Sequence, residues 1–172
     1  KQGVMAWEKS SLDFTPICII LYYTITPFRC KHTPHTTHRS HTHMQTFLPY
    51  EDFEASVEAL DYRRLGKQRV EARQILKAID TGGGWSNHPA SKMWVGYTDA
   101  LKHYSNVCIK EWINRGYNNT MEYLDTVCIV YPWWLGGEIH TTHRAALLHK
   151  DPKFYGEYAW TESPELNYHW PV

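Results

Sequence analysis

The stretch Asp61-Tyr-Arg-Arg-Leu-Gly-Lys-Gln-Arg-Val-Glu-Ala-Arg-Gln-Ile-Leu-Lys-Ala-Ile79 constrains the fold more than any other part of this chain. Projected at about 100° per residue, Leu65, Ala72, Ile75, Leu76 and Ile79 fall within one wide stripe, the signature of an amphipathic helix with a core-facing side. Arg64, Lys67 and Glu71 share a second face, with Gln68 and Gln74 at its margins, and Arg69 and Arg73 flank the stripe. From Arg63 to Lys77 there are six cations and one anion. A solvated helix usually mixes its signs. Two readings stand at this point. Glu71 can make an i−4 pair with Lys67, worth a few tenths of a kcal/mol. Alternatively, the cations engage phosphates and leave the single carboxylate free for proton transfer or for stabilising positive charge.

The 172 residues are enough for one domain of ordinary size. Formal net charge is zero, but residues 1–43 carry five Lys/Arg against two Asp/Glu, and residues 44–172 carry thirteen against sixteen. A mildly acidic body with one dense basic helix points to a local anion-binding face rather than a generally basic protein. Eight Trp and twelve Tyr serve a core and can also stack on bases. Cys18, Cys30, Cys108 and Cys128 have no CxxC spacing, so neither a zinc site nor a disulfide framework is indicated.

Residues 1–43 read as a disordered low-complexity extension. The apolar run 17–25 is far shorter than the roughly 20 residues a membrane span needs, and a His/Thr tract from His32 to His43 follows it. Met44 reads as the natural start of a single globular domain, residues 44–172. Within it, Asp52 is placed to cap a helix through Leu60 and Asp61 to cap the central helix. Thr81-Gly-Gly-Gly84 ends the latter. Apolar periodicity over Met93, Trp94, Tyr97, Ala100, Leu101, Tyr104, Val107, Cys108 and Trp112 predicts one long helix from about Pro89 to Arg115, closed by Gly116. A short helix near Thr120–Asp125, an aromatic loop Tyr131–Gly137, and a last helix capped by Thr142 complete the prediction, with Pro- and aromatic-rich coil from Asp151. Strand patterns are nearly absent. The expected fold is all-α: a compact, irregular helical domain with two long helices and aromatic-rich loops.

Several of these segments, taken in order, resemble the pyrimidine-dimer DNA glycosylases of the phage endonuclease V type. Arg64-Leu65 followed by Glu71 resembles that family's first long helix, where a His-Leu pair precedes the catalytic glutamate by the same interval. Tyr97-Thr-Asp-Ala-Leu101 is similar to its Tyr-Asp-Lys-Leu run, and Trp112-Ile-Asn-Arg-Gly-Tyr-Asn118 to its Leu-Lys-Arg-Gly-Phe-Asn. His143-Arg-Ala-Ala-Leu-Leu-His-Lys-Asp-Pro-Lys-Phe-Tyr155 looks like the closing segment of cellular relatives. The resemblance covers roughly Met44 to Tyr155.

It implies an α-helical DNA repair enzyme without metal or organic cofactor, acting inside the cell as a monomer on double-stranded DNA and not on a membrane. Such an enzyme cleaves the glycosidic bond at a cyclobutane pyrimidine dimer, then cuts the backbone as an AP lyase, by β-elimination through an imine. Glu71 corresponds to the catalytic carboxylate. The family's nucleophile is the α-amine of the residue after the initiator Met, normally Thr; the matching residue is Gln45, a poor neighbour for Met removal, so the α-amine of Met44 or of Gln45 is the candidate. If the extension is retained, Lys67, one turn before Glu71, is the nearest substitute. The family's Arg before its catalytic Glu is Val70 here, with Arg69 one position earlier. Arg63, Arg64, Lys67, Arg69, Arg73, Arg115, His143, Arg144 and Lys150 are the expected DNA contacts. The cationic surroundings lead us to expect an ionised Glu71.

Two other classes remain open on sequence. One is a nucleic-acid-binding protein on the same fold without catalysis. The other is a hydrolase or nuclease using Glu138, His140 and His143, since two His at i and i+3 can share a metal on a helix.

Overall fold

The computed structural model describes residues 44–172; the disorder expected for residues 1–43 lies outside them. Six helices form in the order α1 (Phe53–Glu58), α2 (Tyr62–Thr81), α3 (Pro89–Lys92), α4 (Thr98–Asn114), α5 (Ile139–Lys150) and α6 (Pro152–Tyr155), with a 3-10 turn at Trp133–Gly136. No strand occurs among the described residues, and the all-α expectation holds.

Asp52 and Asp61 cap α1 and α2 as their positions predict. Asp52 accepts from Ala55 N, and Asp61 from Arg63 N and Arg64 N, filling donors that a helix start leaves unpaired. At the other end of α2, Gly82 takes φ +65°, a left-handed conformation that costs glycine little, and its N–H closes on Ala78 O. Leu65, Ala72 and Ile75 are fully buried and join Leu101, Tyr104 and Cys108 of α4 in the core, so α2 and α4 form its central pair. Helix α1 packs on α4, α3 on α2, and α6 on α5.

Three predicted elements differ. The long helix from Pro89 to Arg115 is broken: α3 stops at Lys92, and Gly96 at φ +84° turns the chain before α4 begins at Thr98. The expected helix at Thr120–Asp125 is irregular chain, tied down by side chains of the long helices. Asn106 donates to Leu124 O and accepts from Leu124 N, and Arg73 reaches Glu122 O; just beyond the segment, Asp99 accepts from Val127 N and Cys128 N. Finally, α5 starts at Ile139, so Thr142 lies inside it, its hydroxyl bonded to Ile139 O.

The least regular part of the fold is at its centre. Residues 44–48 run without helix or strand through the interior, and all five are buried. A buried chain without a ladder partner leaves N–H and C=O groups that must be satisfied by other means. Here the partners are side chains of α2, α4 and α5.

Candidate active site

Gln68 of α2 is fully buried and acts on this segment from one side. Its Oε1 accepts from Phe47 N at 2.9 Å, and its Nε2 donates to Gln45 O at 2.9 Å. The same Nε2 donates to Glu71 Oε2 at 2.7 Å, one turn further along α2. The Tyr104 hydroxyl lies 2.9 Å from both Phe47 O and Gln68 Oε1. From α5, His143 Nδ1 accepts from Leu48 N at 2.9 Å, and His140 Nδ1 lies 2.7 Å from Leu48 O. Trp94 Nε1 donates to the Thr46 hydroxyl at 3.1 Å. One carboxamide therefore couples the backbone of residues 45–47 to the carboxylate of Glu71.

This arrangement carries Met44 to the surface of α2, where it joins Glu71, Gln74, Lys77, Thr81 and Trp85 in lining a cleft of about 400 Å³. A second depression, of about 520 Å³, lies along the same helix and is lined by Arg63, Lys67, Arg69, Glu71, Gln74 and Trp112, among others. Glu71 and Gln74 belong to both. The first cleft presents an aromatic plate, Trp85, which is 45% exposed. The second presents the cations. Arg69 stacks over Trp112 at 4.0 Å and bonds Asn119.

Burial raises Glu71 from the usual 4.5 to about 7, against the opposing pull of Lys67, of the Gln68 bond and of Lys150. The expectation that cationic neighbours hold Glu71 firmly ionised is thus corrected: desolvation outweighs them. Lys150 is displaced downward, first by desolvation and then by Arg64 and Lys67, with Glu71 acting against the shift. Its ammonium lies 5.9 Å from the centre of the Phe47 ring. Arg64, Lys67, Glu71 and Lys150 therefore share one electrostatic neighbourhood. Tyr168, from the C-terminal coil, borders it as well: burial and then Glu71 push its phenol up to about 12.

Not every residue expected to meet DNA faces outward. His143 is fully buried against Leu48 and Gln45, and burial drives it down to about 3, so it is a neutral interior side chain and presents nothing to a phosphate. Arg115 turns back onto the end of α1, donating to Leu60 O, Val57 O and Glu58 O and pairing with Glu111 at 2.6 Å. Arg144 bonds Pro49 O and pairs with Glu162 at 2.6 Å. Arg64 pairs with Asp61 at 2.9 Å and lies 3.6 Å from Asp151. Arg73 holds Glu122 O. Arg63 and Lys67 are exposed on α2. His140 and His143 spend ring nitrogens on Leu48, and no three His, Cys, Asp or Glu side chains among the described residues are grouped to hold a metal.

Sequence reasoning missed Gln68, Trp85 and Tyr168. Gln68 carried a signal: at about 100° per residue it falls between Ile75 and Ile79, a polar residue inside the apolar stripe. Trp85 and Tyr168 lie in irregular chain, where periodicity says nothing.

The helix that bears Glu71, the segment 44–48 and the α2–α4 pair lie within residues 44–125, which match the family model described as pyrimidine dimer DNA glycosylase. Over these residues the chain is similar to that family. The match spans α1 to α4 and stops before α5, so the histidines that hold Leu48 lie beyond it. No curated protein and no solved structure matches the chain. No helix among the described residues is long and apolar enough to cross a membrane.

Proposed function

We propose that this glycosylase also cuts the DNA backbone, acting at pyrimidine dimers through an α-amine at Met44 and the carboxylate of Glu71. The observation that carries this reading is the buried course of residues 44–48, which ends with Met44 in the cleft that Glu71 lines. The amine attacks C1′ of the damaged nucleotide and displaces the pyrimidine nitrogen. The C1′–N bond breaks, its electron pair leaving with the base, and the new C1′–N bond becomes an imine as the sugar ring opens. Glu71 stabilises the developing positive charge at C1′ and transfers the proton that ring opening requires. Loss of a C2′ proton then expels the 3′ phosphate by β-elimination. A carboxyl that titrates near neutrality suits a group that both gives and takes a proton.

Met44 rather than Gln45 is the better terminal residue on physical grounds. The Met44 side chain is part of the core cluster, only 5% exposed, so its removal would leave a cavity. A chain beginning at Gln45 would also be open to cyclisation of its side-chain amide onto the amine, which destroys the nucleophile. An α-amine with a pKa near 8 is partly neutral at physiological pH. For a chain extended before Met44, Lys67 and Lys150 are the amines within the field of Glu71.

The two depressions suggest a division of labour on double-stranded DNA. Arg63, Lys67 and Arg69 serve phosphates in the second, and the first cleft, with Trp85 on its wall, takes a base unstacked at the lesion. Borohydride trapping on a dimer-containing duplex tests the mechanism, with chains starting at Lys1 and at Met44 and the adduct mapped by mass spectrometry. A covalent adduct on the α-amine of Met44 is expected. An adduct on a lysine would move the nucleophile, and DNA binding without any adduct would leave a binding protein on the same fold.

A further inference from the structure

Leu48 is held in an unusual way. Its N–H and its C=O both go to imidazoles, and the two rings sit one turn apart on α5. Since Leu48 N–H donates to Nδ1 of His143, that nitrogen carries a lone pair, and the neutral ring keeps its proton on Nε2. Nε2 lies 2.6 Å from the carboxamide of Gln45. A protonated Nε2 needs an acceptor there, so the Gln45 amide turns its oxygen to the ring, a half-turn that exchanges oxygen and nitrogen and moves little else. His143 then bridges the side chain of Gln45 and the backbone of Leu48, spanning the interior segment from its second residue to its fifth. His140 adds to the hold: its Nδ1 lies 2.7 Å from Leu48 O, and its other ring nitrogen faces Leu135 O at the 3-10 turn before α5.

We propose that His143, assisted by His140, is a positioning residue for the cleavage reaction: it fixes the register of residues 45–48 and thereby the place where Met44 meets Glu71. This deepens the α-amine reading and rests on it. The other end of the same lever is Gln68, which grips Gln45 O and Glu71 together. The amine and the carboxylate are thus referenced to one frame, α2 supplying Glu71 and α5 setting the chain that bears the amine. Without the His143 bridge, Gln45 would keep only its carbonyl bond to Gln68 beside the chain end, and misplacement by about 1 Å can cost a hundredfold in rate. Satisfying Leu48 N–H accounts for one ring nitrogen of His143; the second bond, to the side chain of Gln45, satisfies no backbone group and serves only to tie the two residues together.

The variants are Gln45→Leu, which removes the bridge from the side of the interior segment while roughly keeping volume; His143→Asn, whose side-chain oxygen can still accept from Leu48 N; and His143→Leu, which removes both bonds. Each is made in the full chain and in the chain starting at Met44. Measurements are the duplex Kd, the single-turnover rate of borohydride-trapped adduct on a dimer-containing duplex, and urea unfolding. Gln45→Leu and His143→Asn are expected to lower the trapping rate about ten- to a hundredfold with Kd changed by less than about twofold, and His143→Leu to fall further, so that Asn rescues part of the loss. Trapping by Gln45→Leu and His143→Asn at the wild-type rate overturns the proposal while leaving the α-amine reading intact. So does a loss of rate and binding in equal proportion, which marks a purely structural role. If His143→Leu does not fold, Gln45→Leu decides the matter. If neither wild-type chain traps an adduct, the α-amine reading fails and takes this one with it.

Discussion

Replacing Glu71 with Gln is expected to abolish strand cleavage, spare DNA binding, and stabilise the protein at alkaline pH. The third effect is the less intuitive one, and its size follows from the site. Burial raises the Glu71 carboxyl from 4.5 to about 7, so the fold prefers the neutral acid. The sign of the linkage is set by that order: the folded value lies above the unfolded one. The group costs nothing at low pH, the penalty grows as pH rises from 4.5, and it is complete above about 7. Integrated over those two values, ionisation of Glu71 costs the fold about 0.8 kcal/mol at pH 5 and about 3 kcal/mol at pH 8.

Glutamine keeps the size and the oxygen that accepts from Gln68 Nε2, and it cannot ionise. Glu71→Gln should therefore unfold at a higher urea concentration than wild type at pH 8, and the difference should shrink severalfold by pH 5. Cleavage by the wild type should rise through neutrality as the carboxylate appears, about tenfold between pH 6 and pH 8 if ionisation of Glu71 alone limits it. Stability gained where activity is lost is what a strained functional group predicts. A Glu71→Gln protein that is less stable than wild type at pH 8, or whose difference is the same at both pH values, would refute the burial argument. Full cleavage by that variant would remove Glu71 from the mechanism.

Other perturbations separate the frame from the surface. Gln68→Leu strands Phe47 N, Gln45 O and one Glu71 oxygen in the interior; a loss of about 3 kcal/mol or more in urea unfolding, with trapping abolished, is expected. Arg115→Ala removes three bonds to the carbonyls at the end of α1 and should cost about 2 kcal/mol in the same assay while leaving the salt dependence of DNA binding unchanged. Trp85→Ala should weaken binding to dimer-containing duplex by about 1–3 kcal/mol and binding to undamaged duplex much less, as read by competition titration. Of the residues first assigned to phosphates, Arg63, Lys67 and Lys150 are exposed and, like Arg69 beside Trp112, make no ion pair among the described residues, so the plot of log Kobs against log salt should have a slope of about −3 to −4, and Lys67→Ala should reduce it by about one.

Helix α2 was legible because three independent signals agree on it: an apolar stripe, an Asp cap and a Gly stop. The break at Gly96 was not, because Met93, Trp94, Tyr97, Ala100 and Leu101 keep a helical spacing across it and periodicity carries no record of φ. Residues 120–125 misled for the converse reason. Their composition suits a helix, yet Asn106, Asn119 and Arg73 offer the backbone better-placed partners, and tertiary hydrogen bonds override a weak local preference. The interior course of residues 44–48 has no local signal, since its hydrogen bonds come from residues as far away as His143.

At the site, Glu71 was visible as one carboxylate among cations, but the charge count gave the wrong environment. Counting Arg64, Arg115 and Arg144 as free cations overstated the positive field, because each is already paired with a carboxylate, and Arg115 and Arg144 also hold backbone carbonyls. What remains near Glu71 is Lys67 and Lys150, too few to offset its desolvation. The same observation explains why a helix so rich in arginine can carry a carboxyl that titrates near neutrality. The guanidinium groups of Arg64, Arg73, Arg115 and Arg144, planar and multiply donating, are drawn off into the scaffold, where they can satisfy several acceptors at once. The lysines, point charges on flexible stems, are left beside the carboxylate. That division keeps the field around Glu71 weak enough for a proton to be held or released at little cost, which a fully solvated carboxylate among six cations would not do.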